Sequence, residues 1–183
     1  MNIVTIVGSL RKDSYNMQLA KTMEERYKEK LNSNIADIRS LPHFDQDEEN
    51  NPPHAVKEFK EAILNADGVI IITPEYNWSI PGVLKNALDW ASRVDKVFIG
   101  KPVMILGATI GMPGTVRAQM HLRQILGAPG IQAKLLPPGG NEVLIGFAGQ
   151  KFDEQTNRLV DEGTLNFLDS KVDAFDDLVK SVK

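Results

Sequence analysis

Four consecutive aliphatic residues, Val69-Ile70-Ile71-Ile72, constrain this chain more than any other segment. Mostly β-branched and without polar alternation, they specify a strand buried on both faces, the signature of a parallel strand inside an α/β sheet. Ligands bind at the carboxyl ends of such strands. The chain continues as Thr73-Pro74-Glu75-Tyr76-Asn77-Trp78-Ser79-Ile80-Pro81-Gly82. A proline that stops the strand, then a carboxylate, a phenol, a carboxamide and an indole, make a rigid, partly aromatic shelf for a flat ligand with polar edges.

A second β-branched run, Ile3-Val4-Thr5-Ile6-Val7, leads into Gly8-Ser9-Leu10-Arg11-Lys12-Asp13-Ser14-Tyr15-Asn16 and then a helical pattern through Met17, Leu19, Ala20 and Met23. The free N–H groups of a helix start, hydroxyls at Ser9 and Ser14 and a guanidinium at Arg11 are phosphate-holding groups. The better-known phosphate loops do not fit. A Walker loop needs glycine where Asp13 stands, and the dinucleotide fingerprint needs glycine where Leu10 stands. The competing structural reading is that Ser14 or Asp13 merely caps a helix while Arg11 and Lys12 stay solvated.

Gly8-Ser9-Leu10-Arg11 with Ser14 and Asn16, then Pro74-Glu75-Tyr76-Asn77 continuing through Ser79-Ile80-Pro81-Gly82 to Asp89-Trp90, resembles the NADPH-dependent FMN reductase family. A third stretch, Gly111 to Gln124, is similar to the loop and helix that close the flavin site in that family. The resemblance implies a flavodoxin-like α/β fold: a three-layer sandwich with a five-stranded parallel sheet in the order 2-1-3-4-5. It implies that Ser9, Arg11, Ser14, Tyr15 and Asn16 hold the FMN phosphate, that Pro74, Glu75, Tyr76 and Asn77 line the isoalloxazine, and that Thr109 and Gly111 approach its pyrimidine edge. It further implies NADPH or NADH as donor, a small-molecule electron acceptor such as free flavin, a quinone, an azo compound or a metal oxyanion, and a homodimer at least. The sequence departs from the family pattern at Thr115, where relatives often have glycine, and at Met120, where they often have tyrosine. In some relatives that tyrosine joins an arginine and a glutamate, matching Arg117 and Glu142 here, in a contact between subunits on which a tetramer would rest.

The strand patterns fall at 2–7, 34–38, 68–73, 102–108 and 131–136. Helical patterns fall near 14–31, 54–66, 81–93, 115–126 and 160–182. This alternation implies right-handed crossovers and a switch point between the first and third strands, the two that carry the strongest motifs. No linker interrupts residues 1–183, which read as one FMN-binding domain. The loop 40–53, with Asp45-Gln46-Asp47-Glu48-Glu49, reads as a solvated connection in preference to a lid. The stripe Leu165, Leu168, Val172, Phe175, Val179 and Val182 reads as a face packed on the sheet.

The formal net charge is only −3. No nucleic-acid footprint is expected from such a balance. There is no cysteine, so electrons would have to travel on a bound cofactor. The first residues lack a basic region before an apolar stretch, and the longest uncharged stretch, Pro102 to Val116, is broken by glycine and proline, so neither export nor a membrane span is expected and a cytoplasmic protein is. His43, His54 and His121 share no ligand spacing, and no metal site is expected. Glu75 reads as positional, with its carboxylate toward solvent or a neighbouring subunit, because hydride transfer to a flavin needs no protein nucleophile. The helix beginning near Thr115 would aim its dipole at the flavin edge where negative charge collects. The rival readings are a flavodoxin-type electron carrier, which would show a strongly acidic docking face, and a flavin-binding regulatory protein without turnover.

Overall fold

The computed structural model describes residues 1–182. Strands β1 (Asn2–Val7), β3 (Gly68–Ile72) and β4 (Pro102–Ala108) form the parallel centre of the sheet, and β2 (Asn32–Ile35) pairs with β1 at one edge. The order is β2-β1-β3-β4-β5, as expected for a flavodoxin-like fold.

The absence of alternation in these strands is explained by what lies on either side. Val4, Ile6, Val69, Ile71, Val103 and Ile105 pack against α2 (His54–Asn65), α3 (Gly82–Ala91) and α4 (Val116–Leu126), through residues such as Phe59, Leu84, Trp90 and Leu122. The intervening Ile3, Val7, Ile70, Ile72, Met104 and Leu106 pack against α1 (Tyr15–Arg26) and α5 (Glu162–Ser181), through Leu19, Met23, Leu168, Val172 and Phe175. Apart from buried Thr5 on β1, both faces of the central strands are therefore apolar, which gives the three layers. The stripe on α5 is buried on the sheet along Leu168, Val172, Phe175 and Val179.

Three expectations need correction. The second strand lies at Asn32–Ile35 and not at 34–38, because its register is set by pairing from Asn2↔Asn32 to Thr5↔Ile35, including a 2.8 Å hydroxyl contact between Thr5 and Ser33. The first helix ends at Arg26, where the N–H of Tyr27 closes on the Met23 carbonyl and the chain turns. The fifth strand is two pieces. Strand β5 (Lys134–Leu135) pairs with Pro102 and Val103, and β6 (Val143–Ile145) pairs with Leu106, Gly107 and Ala108, also parallel. Between these pairings β4 advances three residues while its neighbour advances eight, so five residues are extruded around Pro137-Pro138-Gly139-Gly140, with both glycines at positive φ. A short antiparallel pair, β7 (Phe152–Asp153) with β8 (Arg158–Leu159), precedes α5 and is tied to α1 by the N–H of Leu159 donating to the Thr22 hydroxyl at 3.0 Å.

The loop 40–53 is fixed to α3. Asn86 donates to the Pro42 carbonyl and accepts from the Phe44 N–H, the Trp90 indole N–H donates to Pro42 at 2.9 Å, and Arg93 pairs with Glu49. Asn86 and Trp90, on the stretch downstream of the Pro74–Asn77 motif, are thus structural. No helix among the described residues is long and apolar enough to cross a membrane.

Candidate active site

The carboxyl ends of β1, β3 and β4 meet at a cleft of about 440 Å³. Ser9, Arg11, Ser14, Tyr15 and Asn16 line it from the β1–α1 turn, Pro74, Glu75 and Tyr76 from beyond β3, and Ala108, Thr109 and Ile110 from beyond β4. Three segments separated by dozens of residues thus contribute to one cavity. Asn77 and Gly111 lie outside that lining: Asn77 is at the tip of a turn, and Gly111 accepts the Phe147 N–H.

The turn after β1 is anchored by the Gly8 N–H donating to the Ile72 carbonyl at 2.8 Å. A Cβ on Gly8 would lie 3.1 Å from Leu84 and 3.3 Å from the Thr73 hydroxyl, so glycine lets the turn approach the neighbouring motif. Ser9 is buried and its hydroxyl accepts the Arg11 N–H at 3.4 Å. Ser14 is buried and caps α1 by accepting the Met17 N–H at 3.4 Å. Capping and phosphate binding are therefore compatible, since each hydroxyl keeps its own hydrogen to donate. The backbone N–H groups of Lys12, Asp13, Tyr15 and Asn16 have no acceptor among the described residues. Those of Tyr15 and Asn16 open α1, where the helix dipole is positive. Arg11 is exposed, with its guanidinium 5.9 Å from the centre of the Tyr15 ring. The Asn16 carboxamide is committed elsewhere: it donates to the Ala108 carbonyl at 3.0 Å and accepts the Ala108 N–H at 2.9 Å, all buried, which leaves its backbone N–H facing the turn.

Beyond β3, Tyr76 and Ser79 exchange two 3.0 Å backbone hydrogen bonds around Asn77 and Trp78, both at positive φ (50° and 65°). This is a type I′ turn, whose second position ordinarily takes glycine. Trp78 is 68% exposed, and the Arg117 guanidinium lies 4.1 Å above its ring. The expected direction of the Glu75 carboxylate requires revision. It turns away from solvent and sits on the start of α4, accepting the N–H groups of Arg117 and Ala118 at 2.9 and 3.2 Å and meeting the Arg117 side chain at 3.3 Å. The positive end of that helix, expected to face a ligand, is thus occupied by a resident anion. Arg117 and Glu142 bond within the chain: Glu142 accepts the N–H groups of Gly139 and Gly140, which hold its carboxyl below the ordinary value.

At the third segment the Thr109 hydroxyl accepts the Gly111 N–H at 3.3 Å, and Thr109 is bonded through its own N–H to Ile145 of β6. Thr115 is buried at φ 66°, a left-handed conformation that ordinarily favours glycine. Sequence reasoning missed Ala108 and Ile110 as lining residues and missed Arg39, whose side chain donates to the Leu10 carbonyl of the turn at 2.6 Å. The signal for Arg39 was its place just past β2, beside the β1 turn in this topology.

The chain is 40% identical to a quinone reductase of Escherichia coli K12, over all of this chain and 97% of that one. It is 42% identical to subunit 2 of an NADH-dependent flavin reductase of Lactobacillus johnsonii, over all of this chain and 98% of that one. Among solved structures it superposes on FerB, a flavoenzyme NAD(P)H:(acceptor) oxidoreductase from Paracoccus denitrificans, with a TM-score of 0.87 at 33% identity, covering 98% and 97% of the two chains. The family of NADPH-dependent FMN reductases matches residues 1–150, which take in β1 to β6 and every segment of the cleft, and the chain belongs to that family.

Proposed function

We propose that the protein is a cytoplasmic FMN-containing oxidoreductase, one domain over residues 1–183, that oxidises NAD(P)H and passes the electrons to a small acceptor of the quinone or free-flavin class. The convergence of the three segments on one cleft carries this reading. The donors at the β1–α1 turn suit a single phosphate: two buried hydroxyls, free N–H groups at a helix start and the Arg11 guanidinium. The backbone around Pro74–Tyr76 and Thr109 supplies polar groups beside a flat ligand. Ser9, Arg11, Ser14 and Tyr15, with the backbone of Asn16, are assigned to the phosphate. Pro74, Glu75, Tyr76 and Thr109 are assigned to the ring system, with Asn77 and Gly111 supporting their turns.

When bound, FMN supplies the capacity to accept a hydride and release electrons. The protein residues bind and orient it. Exposed Trp78, Ile110, Met112, Met120 and Phe147 lie on the segments beyond β3, β4 and β6 and on α4, and this apolar surface supports a homodimer. Arg117 and Glu142 are engaged within the chain, with Glu75 and with the N–H groups of Gly139 and Gly140 respectively.

The test is an absorbance spectrum of the purified protein, followed by anaerobic NADPH and then a quinone. A flavin band that bleaches with NADPH and returns with quinone, and FMN as the cofactor released on denaturation, are expected. FAD in the extract, no flavin after reconstitution, or a band that NAD(P)H does not bleach would overturn the reading.

A further inference from the structure

Two smaller cavities flank the β1–α1 turn, and their charges are opposite. One, toward the β7–β8 pair, presents Asp13, Asp153 and Glu154 against Arg11. The other, of about 240 Å³, lies between the turn and the end of β2 and shares Ser9 and Arg11 with the cleft. Its cationic groups are Arg11, Lys12 and Arg39, and its only carboxylate is Asp37. Val7, Ala36 and Ile38 give it an apolar floor.

The arginines of this cavity are unusual in the molecule. Arg26, Arg93, Arg117 and Arg158 are all in ion pairs, and Arg123 donates to a backbone carbonyl. Arg11 and Arg39 are the exposed arginines without a carboxylate partner among the described residues, and both line this one cavity. Arg39 is nevertheless fixed, because it donates to the Leu10 carbonyl at 2.6 Å, which leaves other N–H groups of a five-donor fork to bind an anion. Asp37 accepts the backbone N–H of Arg39 at 2.9 Å and so braces the segment that presents the guanidinium.

We propose that this cavity seats the 2′-phosphoadenosine end of NADPH, with Arg39 and Lys12 distinguishing it from NADH. An apolar floor suits an adenine, and a fixed guanidinium beside a lysine suits a phosphate monoester. The carboxylates of the opposite cavity would repel one. Continuity through Ser9 and Arg11 connects the seat with the cleft, so the assignment rests on reading that cleft as the FMN site.

The experiment is calorimetric titration of the FMN-loaded protein with adenosine 2′,5′-bisphosphate and with 5′-AMP, which lacks the 2′-phosphate. The bisphosphate should bind at least roughly tenfold tighter, and Arg39→Ala should reduce that advantage to about twofold or less, as expected for loss of a charge-assisted contact. In steady state at saturating FMN, Lys12→Ala, whose side chain holds no part of the turn, should raise KM for NADPH and leave KM for NADH unchanged, and Arg39→Ala should raise KM for NADPH more than KM for NADH. Equal binding of the two nucleotides, or a preference that survives in both Arg39→Ala and Lys12→Ala, overturns the proposal, and so does an equal loss for NADPH and NADH. If Arg39→Ala fails to fold for want of its Leu10 anchor, Lys12→Ala alone decides. If neither donor is oxidised, the functional reading fails, while the nucleotide titration still decides whether the seat exists.

Discussion

The carboxylate of Glu75 closes the start of α4, with one oxygen shared between the N–H groups of Arg117 and Ala118 and the other against the Arg117 guanidinium. A strand-end motif and a helix 42 residues later in the chain are locked together by this contact. Because Arg117 in turn covers Trp78, the shelf beyond β3 and the start of α4 form one unit.

Removing the Glu75 side chain should therefore destabilise the protein, by about 1–2 kcal/mol for Glu75→Ala, the usual cost of losing a helix cap. Glu75→Gln keeps an acceptor and removes the charge. It should uncover the positive end of α4 beside the proposed flavin site and, if FMN sits there, raise its reduction potential, since reduction collects negative charge at the ring. Urea unfolding measures the first effect and a redox titration the second. An unchanged potential would detach Glu75 from the flavin environment; unchanged stability would deny the cap.

The motifs that line the cleft were legible because each is a contiguous string directly after a buried strand, where both chain direction and ligand side are fixed by the topology. What sequence could not supply was the direction of side chains. Glu75 reads as solvent-facing until α4 is known to begin beside it, and the Asn16 amide reads as a ligand group until Ala108 is known to lie opposite. The divided fifth strand was hidden for a related reason. Lys134-Leu135 and Val143-Leu144-Ile145 are too short to announce themselves, and they become strands only by pairing with successive parts of β4.

Asn16→Ala should be among the most damaging single changes near the site. It leaves the buried N–H and C=O of Ala108 without partners, each costing about 1–3 kcal/mol, for a combined loss of about 2–6 kcal/mol. FMN affinity should fall with stability, since this pair holds the turn and the Ala108–Ile110 segment at a fixed separation. Asn16→Asp can still accept the Ala108 N–H but cannot donate to the carbonyl, and should be intermediate. A loss below about 0.5 kcal/mol on denaturant unfolding, typical of an inert surface site, would contradict the assignment.

Stability should fall at both ends of the pH range through a cluster joining α1 to α5. Asp169 accepts two hydrogen bonds from Arg26 and one from Tyr27, each at 2.7 Å. The Arg26 guanidinium holds the Asp169 carboxyl below its ordinary 3.8, so its contribution is present above that value and is lost as pH falls below it toward the folded-state pKa. Burial, with the bond to Asp169, pushes the Tyr27 phenol above its ordinary 10. Above about pH 10 the unfolded chain ionises there and the folded one does not, so stability declines as pH rises. Tyr27→Phe should flatten the alkaline decline, and Asp169→Asn should flatten part of the acid decline. Unfolding curves collected across pH that keep both slopes in these variants would remove the cluster as their cause.

Trp78 stands at φ 65° in the second position of a type I′ turn, where a side chain costs about 1–2 kcal/mol relative to glycine. Its contact with Arg117 returns only about 0.5–1 kcal/mol at an exposed position. The indole is 68% exposed, so the chain gains little from burying it within a single molecule. Trp78→Gly should accordingly leave stability within about 1 kcal/mol of the parent or raise it. An exposed indole kept against local strain points to a contact outside the folded chain, and in the proposed homodimer this is the largest exposed aromatic beside the cleft. The same substitution should weaken self-association roughly tenfold or more, an effect typical of a buried aromatic anchor. Denaturant unfolding and light scattering across a dilution series separate the two effects. A variant distinctly less stable than the parent would refute the strain argument. Unchanged self-association would place Trp78 outside the interface.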